Sequence, residues 1–144
     1  MTELVLPNDT NQLGNLLGGK LMHWMDIAAA IAAQRHSNRI CVTASVDQLS
    51  FHQPIKLGEV VMLRASVNRA FGTSMEIGVQ VQTENQLTGK TKTANTAYLT
   101  FVALDKRGRP TPVPPVIPQT EEERRWFEEA LKRRERRLIL RTKK

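Results

Sequence analysis

The chain has 144 residues, 40% of them hydrophobic, and a formal net charge of +7. This length is typical of one globular domain with a real core, which excludes a large multidomain protein. The charge excess lies entirely in residues 132–144, which hold eight basic residues and one acid, whereas residues 1–131 are electrically balanced. The basic character therefore belongs to the C-terminal tail alone, and we do not expect nucleic acid as a partner.

The sequence indicates a cytoplasmic protein without a metal or an organic cofactor. Residues 1–10 lack the basic start and the continuous apolar run of a signal peptide, so we expect no secretory leader. The single Cys41 has no internal disulfide partner and lies in an apolar, strand-like run, where a core role fits best. The sequence has no Cys/His cluster with metal-ligand spacing and no phosphate-binding loop, and residues 14–19 (GNLLGG) match a dinucleotide-binding fingerprint poorly.

The central feature is a helix predicted from residue 19 to residue 34, which follows a segment with three glycines at residues 11–19. Between Leu21 and Ala33 only His23 and Asp26 are polar, apart from one indole N–H, and a helix that is apolar on nearly every face is a buried helix. The helix is too short to span a membrane. A carboxylate in such a helix is costly unless it is paired or used, so Asp26 is the first candidate functional residue.

From residue 39 onward the pattern changes to β. Four strands are predicted, at residues 40–51, 59–69, 74–83 and 91–104, and apolar and polar residues alternate most clearly in the second and third. Residues 85–90 (NQLTGK) are typical of a hairpin turn. One buried helix followed by four long strands predicts an α+β fold in which an antiparallel sheet wraps around the helix.

The C-terminal part differs in texture from the rest. Residues 110–119 contain five prolines and predict an extended connector. A second helix is predicted from Thr120, because Thr120 and Glu123 form a capping box. Its apolar stripe fades after Leu131, so we expect the first half to dock and the rest to project as a dispensable tail. The predicted organisation is a domain of residues 1–109, a connector of residues 110–119, and a helix with a basic tail at residues 120–144.

Three segments resemble the hotdog-fold acyl-CoA thioesterase family, of the cytosolic acyl-CoA hydrolase type. They are residues 11–29 (NQLGNLLGGKLMHWMDIAA), residues 42–59 with the pieces VTASVD and FHQPIKLGE, and residues 72–81 (GTSMEIGVQV). The sequence departs from the family pattern at Leu17, where relatives often have Phe, and at Gly72, where many have Arg. The resemblance implies a hotdog fold, an acyl-CoA substrate, no cofactor beyond the CoA of that substrate, and assembly into dimers and trimers of dimers.

The residues also fit thioester hydrolysis, which needs a base or nucleophile, a group that orients water or substrate, and donors for the developing oxyanion. Asp26 fits the first role, Asn11 the second, and the free N–H groups at the helix start the third. The resemblance implies that Asn11, Asp26 and Gly19 are catalytic. The residues expected to contact the substrate are Gly18, Thr43, Ser74 and Arg69.

Each assignment has a structural alternative. Asp26 is alternatively a hydrogen-bonded structural acid, and Asn11 is a turn or cap residue. Thr43 and Asp47 either line the site or hydrogen-bond between strands. His23 lies three residues before Asp26 on the same helix face, and a packed side chain fits it better than a His–Asp dyad. Solvated surface is the alternative for the basic candidates for CoA phosphate contacts, which are Arg64, Arg69 and Lys90.

Spacing on the helix predicts a shared site. Seven residues separate Gly19 from Asp26, which is roughly 10 Å along a helix. One chain would struggle to bring both residues to one carbonyl carbon. We therefore expect a two-fold partner to complete the site, with Asp26 of one subunit near Asn11 and Gly19 of the other. The family resemblance implies the same sharing.

The sequence therefore predicts an acyl-CoA thioesterase that releases a free acid and CoA. The alternative is a non-catalytic acyl-CoA-binding hotdog protein whose basic tail contacts nucleic acid or another protein, but a sensor needs neither Asn11 nor Asp26. A serine hydrolase is rejected because no Ser/His/Asp arrangement includes Ser74. A hotdog dehydratase would need a catalytic His, and His36 and His52 match no such motif. The residues expected to set the depth of the acyl pocket are Met22, Met25, Leu49 and Met75.

Overall fold

The structure is a computed structural model, and it describes residues 1–47, 49 and 53–142. In chain order its elements are β1 (Thr2–Leu4), a short 3-10 turn (Pro7–Asp9), α1 (Gly18–Ser37), β2 (Ile40–Asp47), β3 (Val60–Phe71), β4 (Ser74–Glu84), β5 (Thr91–Leu104) and α2 (Glu121–Thr142). The described strands form one antiparallel sheet in the order β1-β3-β4-β5-β2. The predicted α+β class is therefore confirmed, with one strand, β1, that the sequence pattern did not show.

The two faces of the sheet carry different helices. On the inner face, alternate residues of β4 and β5 pack against α1 and are buried; they are Met75, Ile77, Val79, Val81, Ala97, Leu99, Phe101 and Ala103. The outer face carries α2. The strands' period-2 alternation thus separates one apolar core from a second, more polar helix–sheet contact.

Helix α1 is buried on one side only. Leu21, Trp24 and Met25 and the small residues Ala28, Ala29 and Ala33 face the core, and the alanines let the helix approach the sheet closely. On the remaining surface, Met22, Ile27 and Ile31 keep about 39%, 37% and 42% exposure. The expectation of a helix buried on every face is therefore wrong for a single chain. Asp26 is half-buried, because it stands at the border between the two sides.

Helix α2 docks over most of its length, so the prediction that its second half projects from the domain is wrong. Arg133, beyond the point where the apolar stripe fades, is 8% exposed. Its guanidinium binds Glu76 of β4, a fully buried carboxylate, through contacts of 2.6 Å and 2.9 Å. An ion pair holds the second half of α2 against the sheet, and the pattern of apolar residues in the sequence does not indicate such a contact. The predicted N-terminal cap is present, since the Glu123 amide donates to Thr120 Oγ1 at 3.0 Å.

Three of the described strands contain a one-residue shift in pairing. The shift lies between Val67 and Arg69 in β3, between Thr43 and Ser45 in β2, and between Thr93 and Asn95 in β5. Such a bulge places two residues opposite one and reverses the inward–outward phase of everything after it. The extra residue of the β3 bulge, Asn68, lies close to Gly78 of β4. A Cβ on Gly78 would stand 2.8 Å from the side-chain Nδ2 of Asn68, so the bulge favours glycine at that position.

Element bounds follow the predictions closely where the structure describes them. Helix α1 is three residues longer at its C-terminal end than predicted, and it stops at Asn38, whose φ of 57° is left-handed. The β3–β4 turn has Gly72 with φ of 67°, a conformation that favours glycine. The predicted first strand ends at Asp47 in the structure, and its remaining predicted positions 48 and 50–51 lie outside the described residues. Within the described part of the chain, neither helix has the length and apolar character that crossing a bilayer demands.

Candidate active site

Asp26 lies in an apolar cavity between α1 and the inner face of the sheet. The cavity has a volume of about 330 Å³. It is lined by Gly19, Met22, His23, Met25, Asp26, Thr43, Val46, Leu49 and Leu99. The Thr43 hydroxyl donates a hydrogen bond of 2.6 Å to Asp26 Oδ1. This contact fixes one carboxylate oxygen and leaves the other available to a bound molecule.

The bulge in β2 determines which residues of that strand reach the cavity. Thr43 pairs with Phe101 before the bulge, and Val46 pairs with Leu99 after it, so both face inward. Unbroken alternation from Thr43 would instead have turned Asp47 inward. Asp47 lies on the outer face, where its Oδ2 accepts a 2.6 Å contact from Arg137 of α2. Thr43 therefore lines the cavity, and Asp47 does not.

The two glycines at the start of α1 open onto different cavities. Gly19 lines the Asp26 cavity of its own chain, whereas the spacing on the helix predicted that only a partner's Gly19 would lie near Asp26. Gly18 lines a second cavity of about 330 Å³ with Asn15, Leu16 and Leu21 among its walls. Gly18 and Gly19 are the first two residues of the helix, and the described residues provide no acceptor for their amides. These N–H groups are the donors that a helix start offers to an anion or a polarised carbonyl.

Asn11 lies on an exposed loop before α1 and is not among the residues of its own chain that line the Asp26 cavity. Its Oδ1 accepts the amides of Leu13 and Asn15 at 2.9 Å and 3.1 Å, and so the oxygen shapes the loop. The Nδ2 group donates no hydrogen bond within the described residues. The side chain is therefore a turn-forming residue that also keeps two free donors.

Two predicted substrate contacts lie away from the cavity. Arg69 follows the β3 bulge and packs on the outer face, with its guanidinium carbon 3.8 Å from the centre of the Phe127 ring. Ser74 starts β4 on the same face, where its hydroxyl donates to the Phe71 carbonyl at 3.3 Å and accepts from Arg134 at 3.4 Å. Both are occupied by contacts near α2. The fold of one chain does not bring them to Asp26.

The cavity includes residues that sequence reasoning did not single out. Of the four predicted pocket residues, Met22, Met25 and Leu49 line it, whereas Met75 is buried in the core and does not. Val46 and Leu99 are additional walls. Leu99 had a visible signal, its place in the alternation of β5, but the inward direction of Val46 was hidden by the bulge. No three His, Cys, Asp or Glu side chains within the described ranges lie close enough to hold a metal ion.

Comparisons with known proteins give one consistent result. A family model described as the thioesterase superfamily matches residues 13–90. The chain is 48% identical over 122 residues to an uncharacterized acyl-CoA thioester hydrolase from Bacillus subtilis, covering 85% of this chain and 71% of that protein. It is 42% identical over 139 residues to acyl-coenzyme A thioesterase 11 from Mus musculus, covering 96% of this chain but only 23% of the mouse protein.

Two solved structures are similar over nearly the whole chain. One is a hexameric acyl-CoA thioesterase, with a TM-score of 0.93 and 44% identity, covering 96% of this chain and 89% of that one. The other is the acyl-CoA hydrolase from Staphylococcus aureus in complex with butyryl-CoA, CoA and CoA disulfide, with a TM-score of 0.92 and 39% identity, covering 99% of this chain and 87% of that one.

The Staphylococcus aureus enzyme has also been solved with alanine in place of one Asn, one Asp or one Thr. Those positions are fifteen and seventeen residues apart, the same spacing that separates Asn11, Asp26 and Thr43 here. The family-model match, the identities and the sheet packed around α1 agree. The chain belongs to the thioesterase superfamily and has its hotdog fold.

Proposed function

We propose that this chain is an acyl-CoA thioesterase, which hydrolyses an acyl-CoA to a free carboxylic acid and CoA. The observation that carries the proposal is the Asp26 carboxylate, held by Thr43 at 2.6 Å in an apolar cavity that opens beside the helix start. An acid at the border of an apolar cavity suits a substrate with an apolar chain and a reactive carbonyl. The names of the bacterial and mouse relatives support the same reaction.

Asp26 activates the attack on the thioester carbonyl in this proposal. It either takes a proton from a water that attacks the carbonyl carbon, or attacks that carbon itself to form an anhydride that water then cleaves. The thiolate of CoA leaves, and the acyl group departs as the acid. Amides at the start of α1 stabilise the oxyanion, with Gly19 as the nearest to the cavity.

Asn11 and Thr43 assist Asp26. The matching spacing of the Asn, Asp and Thr positions chosen for substitution in the Staphylococcus aureus enzyme supports this grouping. Thr43 orients the Asp26 carboxylate through its hydrogen bond. Asn11 orients the attacking water or the substrate through its free Nδ2 donors. Gly18 contacts the substrate near the second cavity, whereas contacts from Ser74 and Arg69 would have to reach a substrate bound by another subunit.

A second copy of the chain completes the site. Asn11 is not among the residues of its own chain that line the Asp26 cavity, and α1 leaves Ile27 and Ile31 at 37% and 42% exposure. Strand β2 is an edge of the described sheet, with one side paired to β5. An apolar helix surface next to a strand edge is a surface that self-association buries. We propose a two-fold dimer, assembled further as a trimer of dimers, and hexameric relatives support this arrangement.

The reaction needs no cofactor beyond the CoA of the substrate, and the relatives called cytosolic support a cytoplasmic place of action. The alternative of a binding protein with a free basic tail loses support from the fold. Arg133 and Arg137 of that tail are engaged with Glu76 and Asp47.

The test is release of free thiol from a series of acyl-CoAs, from acetyl- to palmitoyl-CoA. Wild type should turn over at least one of them. Asp26→Asn should lower kcat by roughly 10²–10⁴-fold without loss of fold, because an amide is a poor base and a poor nucleophile. Asp105→Asn is the matched control. The Asp105 side chain accepts two backbone amides in a turn, and an Asn side chain can accept them as well.

Two results would contradict the proposal. Retention by Asp26→Asn of more than about a tenth of wild-type kcat would exclude the role given to Asp26. Binding of acyl-CoA by wild type, without turnover of any member of the series, would favour the non-catalytic binding protein.

A further inference from the structure

Helix α2 packs on the outer face of the sheet, directly behind one wall of the Asp26 cavity. Two contacts hold it there. Arg137 Nη1 lies 2.6 Å from Asp47 Oδ2. The guanidinium carbon of Arg133 lies 3.6 Å from the centre of the Tyr98 ring, a cation–π distance.

The two sheet residues that α2 contacts, Asp47 and Tyr98, are immediate neighbours of residues that line the cavity. Asp47 pairs with Tyr98 across β2 and β5, and the adjacent pair in the same ladder is Val46 with Leu99. Successive residues of a strand point to opposite faces, so the first pair faces α2 and the second faces the cavity. Val46 and Leu99 both line that cavity.

The two arginines act from one rigid support. Arg133 and Arg137 are four residues apart on α2, and therefore on one helix face. Arg133 is fixed by its paired contact with buried Glu76 of the neighbouring strand β4. With Arg133 anchored, Arg137 has a defined position from which to hold Asp47. The Asp47 side chain is 25% exposed, whereas Glu76 is fully buried, so Arg137 can be replaced without leaving a fully buried acid unpaired.

We propose that Arg137 is a positioning residue for the acyl pocket. By holding Asp47 on the outer face, it fixes the β2–β5 patch whose inner face presents Val46 and Leu99 to the acyl chain. Substrate selection by chain length then depends on a contact outside the cavity. This inference rests on the proposed thioesterase function and adds to it a specificity determinant in α2.

The experiment compares Arg137→Ala with wild type over acyl-CoAs from acetyl- to decanoyl-CoA. The expected result is a KM for the longer chains that rises roughly three- to ten-fold relative to the KM for acetyl-CoA, because a displaced wall affects substrates that touch it. The kcat for acetyl-CoA should stay within about two-fold of wild type. Arg136→Ala is the matched control, because Arg136 is an exposed arginine on the same helix. It should leave the chain-length profile unchanged.

Rescue separates positioning from general destabilisation. Arg137→Lys should restore part of the profile, since an ammonium can also reach Asp47. Exchange of the charges, in the double variant Asp47→Lys with Arg137→Glu, should restore more of the profile than either single change.

An unchanged chain-length profile in Arg137→Ala would overturn the proposal, and so would an equal loss for every chain length together with a lowered Tm, which indicates a structural role alone. Both outcomes require active wild-type enzyme. They therefore differ from failure of the thioesterase function itself, in which wild type shows no turnover.

Discussion

Arg133 and Glu76 form a two-pronged ion pair, with 2.6 Å from Nε to Oε1 and 2.9 Å from Nη2 to Oε2, on a carboxylate that has no exposed surface. Asn68 adds a third bond, from its Nδ2 to Oε2 at 3.0 Å. Burial of the guanidinium opposes its charge, but the hydrogen bonds and the charge of Glu76 outweigh burial and raise the pKa of Arg133. Helix α2 is therefore attached to the sheet by a buried and paired charge.

Removing one partner of this pair should destabilise the fold. Arg133→Met leaves Glu76 buried without its counter-charge, and we expect a loss of about 3–5 kcal/mol in the free energy of unfolding, measured in urea at a fixed protein concentration. Arg136→Met, at an exposed position, should change this free energy by less than about 0.5 kcal/mol. The double variant Glu76→Leu with Arg133→Met should recover most of the loss, because no unpaired charge remains.

The same pair predicts how stability varies with pH. A raised pKa means that the contribution of Arg133 is complete below its unfolded pKa and is lost only as pH rises through the higher folded value. Both values lie far above neutrality. Arg133 itself should add no slope to the unfolding free energy between about pH 6 and pH 9. A slope of the unfolding free energy between about pH 6 and pH 9 that is present in wild type and absent in Arg133→Met would contradict this expectation.

A methyl group on Gly78 should loosen the ion pair. The Cβ of Gly78→Ala would stand 2.8 Å from Asn68 Nδ2, so Asn68 must move off Glu76. The expected effect is a loss of about 1–3 kcal/mol in the free energy of unfolding. In an Asn68→Ala background the added methyl should have much less effect, since the amide that it strikes is gone. Equal losses in both backgrounds would show that the clash lies elsewhere.

The hydrogen bond from Thr43 to Asp26 should matter for kcat. Thr43→Val keeps the shape of the side chain but removes the donor at 2.6 Å, and we expect kcat to fall by about ten-fold or more. Thr43→Ser keeps a hydroxyl and should retain most of the activity. Because both variants line the same cavity, a drop in Thr43→Ser as large as that in Thr43→Val would indicate packing and not the hydrogen bond.

Mixing of inactive variants should reveal whether subunits share the site. Asn11→Ala and Asp26→Asn should each be nearly inactive alone. If Asn11 and Asp26 of one site come from different subunits, a mixed dimer has one intact site and one with both defects. Equal, random mixing makes half of the dimers mixed, so about a quarter of wild-type activity should return. Complete mixing, verified by mass, without recovered activity would assign both residues to one subunit.

Much of the fold was predictable because its signals are local. Alternation in residues 74–83 indicated the inner and outer faces of β4, and these are the faces that the structure shows. The resemblance and the lone acid of α1 both indicated Asp26. Its contact with Thr43 required pairing between strands that are distant in sequence, which alternation alone does not specify.

The wrong predictions share one cause. They depended on features that the periodicity of apolar residues along the sequence does not report. An extra residue in a strand does not change composition or average alternation, so neither the direction of Asp47 nor that of Arg69 could be obtained by counting. The docking of α2 beyond Leu131 was missed because a charged pair holds it, whereas sequence patterns report apolar stripes.

The bulge at Ala44 makes β2 tolerant of one change in its length. Thr43 pairs with Phe101 and Ser45 pairs with Thr100, so Ala44 has no partner of its own in the ladder. Loss of this one codon would restore unbroken alternation and leave Val46 facing the cavity and Asp47 facing α2. Loss of a codon from a strand without an extra residue would instead exchange the lining of a pocket for its outer surface. Evolution of new acyl-chain preferences through β2 is therefore open to a deletion at Ala44 as well as to replacements.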